Sequence, residues 1–249
     1  MDLTVCSLAE RPDLRRKVEA LQRRAWPLFM WLGHDEAAER YWSAIFETFA
    51  AYQICFLVGG KVIAASHSLP YGWDGSIEGL PAGWDDSLVR GFDHHRAGRA
   101  PNTLGVLSMV LSSKHQGQGL SGRMVQEFVH LARRQALDTC IVPVRPTLKH
   151  QHLEMAIEDY VAWRRDDGLP WDPWLRVHAR LGAETLAIAH ASMTYTGTLR
   201  EWESWTRLKF PESGSYPITG GLVPLEVDRD HDRGTYVEPN VWVRHRVAS

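Results

Sequence analysis

The stretch VLSSKHQGQGLSGRM, Val110 to Met124, connects an apolar run to a segment with helical periodicity. The connection, Gln116-Gly117-Gln118-Gly119, leaves little side-chain bulk near the backbone. Glycines allow main-chain N–H groups to point into one concavity and allow a ligand to approach the backbone closely. The helix that follows places its positive end at the same point. The stretch therefore predicts a pyrophosphate-binding turn; a purely structural Gly-x-Gly turn is the alternative.

Two other phosphate-binding motifs do not fit this stretch. A dinucleotide fingerprint needs a third glycine at a fixed spacing, and that glycine is absent. A nucleotide P-loop needs Gly-Lys followed by Ser or Thr, and no such tripeptide follows.

The flanking sequence predicts alternating helices and strands in one α/β domain. Two amphipathic helices are predicted first, over residues 11–26 and 34–52, with Asp35 capping the second. A β-hairpin with Gly59-Gly60 at its turn follows. The remaining predictions are a short helix near 85–95, strands at 103–113, 138–146 and 185–197, and helices at 120–137, 155–168 and 172–181.

Composition and charge limit the classes of function. Of 249 residues, 44% are hydrophobic and 23% are charged, and the formal net charge is −2, so neither nucleic acid nor an acidic membrane surface is a predicted partner. The three cysteines are far apart, which favours a reducing compartment. No signal peptide and no apolar run of roughly 20 residues is visible. We therefore predict a cytoplasmic protein.

The glycine-rich turn resembles the acyl-CoA signature of the GNAT acetyltransferase superfamily. That signature is Gln or Arg, two residues, Gly, one residue, then Gly or Ala, and here it runs from Gln116 through Gly119 to Ser121. Ser121 departs mildly from the pattern, because serine is also small. The order of predicted elements is also similar to that of the superfamily. The resemblance implies a single domain with a mixed, mostly antiparallel central sheet flanked by helices.

The resemblance also implies a donor and a set of donor-binding residues. The donor is acetyl-CoA or another acyl-CoA, and the backbone of the turn binds its pyrophosphate and pantetheine. A β-bulge near Val110 separates this strand from Thr139–Val144, and the thioester lies in the gap. The implied CoA-binding residues are Val110, Leu111, Ser112, Gln116, Gly117, Gln118, Gly119, Leu120 and Ser121.

Two catalytic candidates come from the same resemblance. Many GNAT enzymes carry a tyrosine before a Lys-x-Gly-Phe-like turn, which protonates the leaving thiolate, and the matching position here holds His178. Histidine has an ordinary pKa of about 6.5, so it can accept and return a proton near neutral pH. Thr147, after the strand at 138–146, is the second candidate. A threonine and a histidine at these positions resemble the GNAT-like loading domains of polyketide synthases. In a decarboxylation, Arg145 or Lys149 would be candidates to hold the carboxylate; the alternative is that both lie on a solvated rim.

Three functions remain open from the sequence. The first is acyl transfer from acyl-CoA to an amine. The second is decarboxylation of malonyl-CoA with S-acetyl transfer to an acyl carrier protein. The third is a non-catalytic acyl-CoA-binding module. Two histidine-rich stretches, at 93–95 and 150–152, lack the spacing of a zinc site, so we predict solvated loops there and no metal.

The chain is longer than a minimal domain of this superfamily requires. We predict an acyl-CoA-binding core over residues 1–197. Residues 198–249 are predicted to form a helix and a hairpin packed on the same domain, which either extend the sheet or cover the acceptor cleft.

Overall fold

The computed structural model describes residues 3–247. The described α-helices are α1 (Arg15–Ala25), α2 (Phe29–Leu32), α3 (Glu36–Tyr41), α4 (Ile45–Thr48), α5 (Trp84–Arg96), α6 (Leu120–Arg134), α7 (Ile157–Ala162), α8 (Pro173–Arg180) and α9 (Leu199–Thr206). The described strands are β1 (Leu3–Ser7), β2 (Gln53–Val58), β3 (Lys61–Tyr71), β4 (Thr103–Leu111), β5 (Thr139–Val144), β6 (Glu184–Gly197), β7 (Gly214–Tyr216), β8 (Leu225–Asp228) and β9 (Arg233–Arg246).

The strands form one mixed sheet in the order β1-β2-β3-β4-β5-β9-β8-β7, with β6 also paired to β9. Every strand pair is antiparallel except β4 with β5. The turn between β2 and β3 is the predicted one, since Gly59 and Gly60 have φ values of 54° and 73° and so supply the positive φ angles of a tight hairpin. The α/β architecture predicted from the sequence is confirmed.

The one parallel strand pair opens into a wedge. β4 and β5 pair only at Thr103–Thr139, Leu104–Cys140 and Gly105–Ile141, after which no pairing joins them. The register of β3 and β4 shifts so that Leu107 is the extra residue of a bulge. The bulge predicted near Val110 therefore lies three residues earlier. A bulge bends its strand and increases the local twist, so it directs the end of β4 away from β5.

Two apolar cores lie on opposite faces of the sheet. On one face, α6 and α8 contribute Leu120, Phe128 and Leu175 to a core with Val142. We call this the donor face. On the other face, α3 and α5 contribute to a core with Leu107, Ile141 and Trp242, and we call this the acceptor face.

The C-terminal segment completes the sheet. β9 pairs with β5 from Thr139–Arg246 to Val144–Val241 and with β6 on its other edge. Its Trp242 side chain is 1% exposed. The segment after residue 197 also contains α9 and the antiparallel pair of β8 and β9, and these strands belong to the same sheet. The division of the chain at residue 197 remains a prediction.

Some predicted elements differ from the structure. The second predicted helix is broken into α3, a 3-10 turn at Trp42–Ala44, and α4. Strand β1 and the one-turn helix α2 were not predicted. His94 and His95 lie in the last turn of α5, and His152 packs against Trp163 and Trp171, so the prediction of solvated loops was wrong for both stretches.

Candidate active site

The glycine-rich turn lies at the open end of the wedge. Gly117 and Gly119 have φ values of 74° and 73°, a conformation that strains any residue with a Cβ. A Cβ added at either position would meet no atom within 4 Å, so the space above the turn is open. Gly119 is the N-cap of α6, with no side chain capping the helix. The first N–H groups of that helix lack intrahelical partners and fit a diphosphate.

The predicted CoA-binding residues follow a continuous path along this end of the molecule. Val110 is buried in β4, and Leu111 and Ser112 are half-buried. The four residues from Gln116 to Gly119 are exposed, Leu120 is buried and Ser121 is half-buried. The path therefore runs from an exposed turn into a buried strand.

His178 is buried against His245 of β9, and β5 lies between β9 and the wedge. His178 is 1% exposed, and its Nδ1 lies 2.8 Å from Nε2 of His245. His245 pairs with Cys140, which is one residue before the last contact between β4 and β5. Burial lowers the pKa of His178 to about 3 and that of His245 to about 4. The ordinary pKa expected for His178 is therefore wrong, because desolvation disfavours the imidazolium.

The structure does not bring Thr147 and His178 together. Thr147 is exposed in a bend beyond the end of β5, whereas His178 lies at the level of Cys140. The strand from Cys140 to Val144 alone spans about 13 Å. Direct cooperation of the two side chains on one small group is therefore not supported.

Arg145 and Lys149 also differ from their predicted placement. Nε of Arg145 lies 2.8 Å from Oε1 of Glu238, whose side chain is 0% exposed. Lys149 is 1% exposed and donates from Nζ to the carbonyl oxygens of His152 and Leu222. Neither cation lies on a solvated rim. The carboxylate that Arg145 holds belongs to the chain itself.

A pair of carboxyl groups, Asp35 and Asp85, lies on the acceptor face. Asp35 is 2% exposed; its Oδ1 accepts from the Ala38 N–H, and its carboxyl group is within hydrogen-bonding reach of Asp85. Asp85 accepts from the Thr194 N–H through Oδ2, and one retained hydrogen can join the two carboxyl groups. Burial, and then the charge of Asp35, raise the pKa of Asp85 to about 8. Burial also raises the pKa of Asp35, so the pair retains a proton at neutral pH.

Trp84 connects this carboxyl pair to the wedge. Its indole Nε1 donates to the carbonyl oxygen of Leu107, the bulge residue of β4. Its backbone N–H donates to Oγ of Ser192, which in turn donates to Oδ1 of Asn240. Asp85 is the next residue along α5. The carboxyl pair is therefore fixed beside the point where β4 leaves β5.

Sequence reasoning found one member of this pair only as a helix cap. Asp35 was predicted to cap a helix and does so. Asp85 was placed near the start of a helix without a role. His245 was missed entirely, because a single histidine in a strand-like tail carries no local signal.

The described residues, 3–247, lack two kinds of feature. Within them, no helix is long and apolar enough to cross a membrane. The same residues contain no group of three or more His, Cys, Asp or Glu side chains arranged to hold a metal ion.

Comparison with known proteins identifies the family. No family model matches the chain. A curated protein of Aspergillus versicolor, arginine N-acetyltransferase avaD, is 34% identical over an aligned length of 271 residues, gaps included. The alignment covers 96% of this chain and 92% of that protein. The chain belongs to the GNAT superfamily. This GNAT protein is an acyl-CoA-dependent acyltransferase.

Solved structures agree on the fold. The GphF GNAT-like decarboxylase, in complex with isobutyryl-CoA, matches with a TM-score of 0.60 at 17% identity over 100% of both chains. The loading GNATL domain of CurA from Lyngbya majuscula matches with a TM-score of 0.59 at 13% identity, covering 99% of this chain and 97% of that domain. At these identities the likeness supports a GNAT fold and does not extend to the reaction.

Proposed function

We propose that this GNAT enzyme transfers the acetyl group of acetyl-CoA to a nitrogen of a small cationic acceptor, with arginine as the first candidate. The observation that carries the proposal is the 34% identity, over nearly the whole chain, to an arginine N-acetyltransferase. The reaction needs a site for the donor, a site for the acceptor and a route for protons.

The donor site is the turn and the wedge. In this proposal the N–H groups around Gly117 and Gly119 hold the pyrophosphate. The pantetheine arm follows β4 towards the bulge at Leu107, and the thioester lies between the separated ends of β4 and β5. Peptide groups freed by the separation of the strands are then available to hydrogen-bond the arm and the thioester oxygen.

The acceptor site is proposed at the carboxyl pair. Two carboxylates cannot hydrogen-bond to each other unless one is protonated, and burial of both is costly without a counter-charge. A guanidinium presents several N–H donors in a plane that fits carboxylate oxygens. Asp35 and Asp85 share a retained proton, and a cationic group of the acceptor would displace that proton and bind both carboxylates.

The nearby Arg145–Glu238 ion pair does not compete with the acceptor. Arg145 is already engaged by Glu238, by the carbonyl oxygen of Gly220 and, at 5.9 Å, by the ring of Trp26. On the acceptor face, Arg145 therefore neutralises the Glu238 carboxylate, whereas no described cation neutralises the Asp35–Asp85 pair.

The location of the protein is also part of the proposal. We place it in the cytoplasm, because Cys6, Cys55 and Cys140 are all free thiols, which is typical of a reducing compartment.

The test is a direct assay of the purified protein with acetyl-CoA and a panel of acceptors. L-Arginine is compared with L-citrulline, which has the same length but a neutral ureido group, and product masses are measured. Acetylarginine formation with little or no acetylcitrulline supports the proposal. Equal rates for both acceptors would remove the carboxyl pair from acceptor binding. No acetylated product with any amine would overturn the proposed function.

The decarboxylating alternative has no observation in its favour. Thr147 and His178 lie apart, and Arg145 and Lys149 are engaged within the chain. The same assay with malonyl-CoA reports it, since carbon dioxide would be released with no amine present.

A further inference from the structure

We propose that His67 on β3 and Ser108 on β4 bind the reacting nitrogen of the acceptor and orient it towards the wedge. The inference rests on the proposed function and deepens it, because it assigns the end of the acceptor that the Asp35–Asp85 pair does not bind. With a guanidinium at the carboxyl pair, the nitrogen at His67 belongs to a separate primary amine. Arginine is therefore expected to be acetylated on its α-amino nitrogen.

His67 and Ser108 lie where β4 bulges and leaves β5. They pair directly across β3 and β4, and the pairing of the next residue of β3 skips Leu107. Ser108 is three residues beyond Gly105, the last residue of β4 that pairs with β5. Ser108 therefore belongs to the separated end of β4, and His67 lies beside it at the same level of the sheet.

Both side chains lie on the acceptor face. Residues that pair directly in an antiparallel sheet point to the same face, with Cβ atoms about 4.5–5.5 Å apart. The His67 ring packs edge-on against Trp42 and Phe46, at centroid distances of 5.4 Å and 5.3 Å, and Phe46 belongs to the acceptor-face core. Trp42 packs in turn on Trp84, at 5.4 Å. The next residue of α5 is Asp85, so His67 and the carboxyl pair lie on one face with two indole rings between them.

The hydrogen-bond partners of His67 determine its tautomer. Nε2 of Gln53 donates to the carbonyl oxygens of Phe49 and Ser68, at 2.8 Å and 2.9 Å, so Oε1 of Gln53 faces His67. That oxygen only accepts, and it lies 2.9 Å from Nδ1 of His67, which therefore carries the hydrogen. Burial lowers the pKa of His67 to about 3, so the ring is neutral near pH 7. Its Nε2 is then a hydrogen-bond acceptor without a hydrogen.

Two polar atoms of this pair have no partner among the described residues. Nε2 of His67 and Oγ of Ser108 are both buried, and neither bonds to the other. His67 is 1% exposed and Ser108 is 8% exposed. Buried polar atoms without a partner are uncommon in folded proteins. Two of them on directly paired residues indicate a shared partner with hydrogens to donate, and an amine nitrogen has such hydrogens.

The geometry of the imidazole directs this partner towards β4. Nδ1 of His67 faces Gln53 on β2, and the two nitrogens of an imidazole point in nearly opposite directions. Nε2 therefore faces away from β2, on the side of Ser108. A neutral amine that donates to Nε2 and contacts Oγ of Ser108 keeps its lone pair free for the thioester in the gap. A neutral ring also does not repel an acceptor that carries a cation at its other end.

This arrangement requires no proton to be stored on His67. The ammonium loses its first proton to solvent and binds as the neutral amine. When the C–N bond forms and the C–S bond of the thioester breaks, the hydrogen that the nitrogen loses equals the one that the CoA thiolate gains. His67 acts by orienting the nitrogen, and its low basicity does not limit that role.

Access to the pair runs past Trp42. This side chain is half-buried and belongs to the 3-10 turn that separates α3 from α4. A partly exposed ring at a break between two helices can rotate while both helices remain formed. The acceptor can therefore reach Nε2 of His67 without unfolding of the acceptor face.

Two substitutions of His67 separate the roles of its nitrogens. Asparagine places an amide N–H near the position of Nδ1, so it can keep the bond to Gln53, but it has no atom at the position of Nε2. Glutamine reaches that position with its amide group. We expect His67→Asn to lower kcat/KM for arginine roughly 100-fold with the KM for acetyl-CoA within about twofold, and His67→Gln to recover about tenfold of the loss. An unchanged kcat/KM in His67→Asn, or equal losses in both variants, would overturn the inference.

Ser68→Ala is the matched control. Ser68 is the next residue of β3, it is 0% exposed, and its Oγ donates to the carbonyl oxygen of Tyr52. Successive residues of a strand point to opposite faces, so this variant loses a buried hydrogen bond away from the acceptor face. We expect lower stability with unchanged arginine kinetics. A loss of kcat/KM equal to that of His67→Asn would show that damage to β3, rather than loss of Nε2, explains the effect.

Measurements on the wild-type protein complete the test. Nitrogen NMR with labelled histidine should show His67 with its hydrogen on Nδ1 at pH 7, and saturating arginine in the presence of CoA should shift the signal of the bare Nε2. Fragment masses of the product should place the acetyl group on the α-amino nitrogen. An unmoved Nε2 signal, or an acetylated guanidinium, would contradict the inference and leave the proposed function intact. Absence of any acetylarginine would contradict the proposed function itself.

Discussion

The sheet of this GNAT enzyme carries a buried titratable pair on each face, and burial acts on the two pairs in opposite senses. On the acceptor face it raises the pKa values of Asp35 and Asp85 and so keeps a proton on the pair. On the donor face it lowers the pKa values of His178 and His245 and so keeps extra protons away. The carboxyl pair becomes more negative when it loses its proton, whereas the histidine pair would become positive if it gained one. A cation can therefore complete the carboxyl pair, whereas a cation beside the histidine pair would gain nothing.

The largest effect should come from changing the carboxyl pair. Asp85→Asn retains an acceptor for the Thr194 N–H but cannot become anionic. We expect kcat/KM for arginine to fall roughly 100-fold or more, as for loss of one partner of a buried ionic contact, with the KM for acetyl-CoA unchanged. Steady-state kinetics with each substrate varied measures this.

Asp86→Asn is the matched control for that change. Asp86 is the next residue of α5, and it pairs with Arg90 at the surface. A loss of the same size in both variants would show that α5 as a whole, rather than the pair, governs acceptor binding.

A substitution of His178 on the donor face should change kcat rather than the affinity for the acceptor. His178→Ala should lower kcat roughly 100-fold and leave the affinity for CoA near normal, because the missing ring acts on the proton. Calorimetric titration with CoA and initial-rate kinetics separate the two quantities. An unchanged kcat would remove His178 from the mechanism and would leave the histidine pair as packing alone.

The glycine-rich turn should show a smaller effect. Gly119→Ala forces a Cβ into a positive-φ position and narrows the approach to the N–H groups, and we expect about tenfold weaker CoA binding. Gly168→Ala provides the control, because Gly168 has a φ value of 75° and equally open surroundings, and it lies in the loop after α7. Equal loss of CoA affinity in both variants would mean that backbone strain, not the turn, is responsible.

The final prediction is a pH dependence of stability with opposite signs for the two pairs. The folded pKa of Asp85, about 8, exceeds its unfolded value. Stability from this group is therefore present at low pH and is lost as pH rises towards 8, by at most about 1.4 kcal/mol per pH unit. Asp85→Asn should flatten that slope in urea titrations between pH 6 and 8.

The histidine pair should act in the acid range. Its folded pKa values lie below the ordinary one, so the unfolded chain binds more protons and stability is lost as pH falls from about 6.5 towards 4. His178→Gln should reduce this acid sensitivity. A slope unchanged by the substitution would show that other groups dominate acid unfolding.

The parts of the molecule that depend on local sequence were predictable. The hairpin at Gly59-Gly60 and the cap at Asp35 each follow from short-range rules. The turn at Gly117 and Gly119 was located by its small residues and by its resemblance to a known signature.

The parts that depend on distant residues were not predictable. His245 contacts His178 because β9 pairs with β5. The two histidines are 67 positions apart in the chain, and no sequence periodicity indicates that contact. The lowered pKa of His178 follows from the same packing, so neutral-range chemistry was assigned to it from its residue type alone. Likewise, Thr147 follows the end of β5, as predicted. That end of β5 is at the open end of the wedge, whereas His178 lies at the level of Cys140, where β4 and β5 are still paired.

The position of β9 also constrains how the molecule is made. Strands β1 to β4 can meet their sheet neighbours as soon as β5 has formed. In contrast, β5, β6 and β8 cannot pair with β9 until residues 233–246 are present. During synthesis, the edge of β5 therefore waits unpaired through the production of nearly ninety residues, between Val144 and Arg233. Such an exposed edge is prone to mispairing with other chains, so yield in a heterologous host should depend on temperature and chaperone supply more than the mature enzyme's stability would indicate.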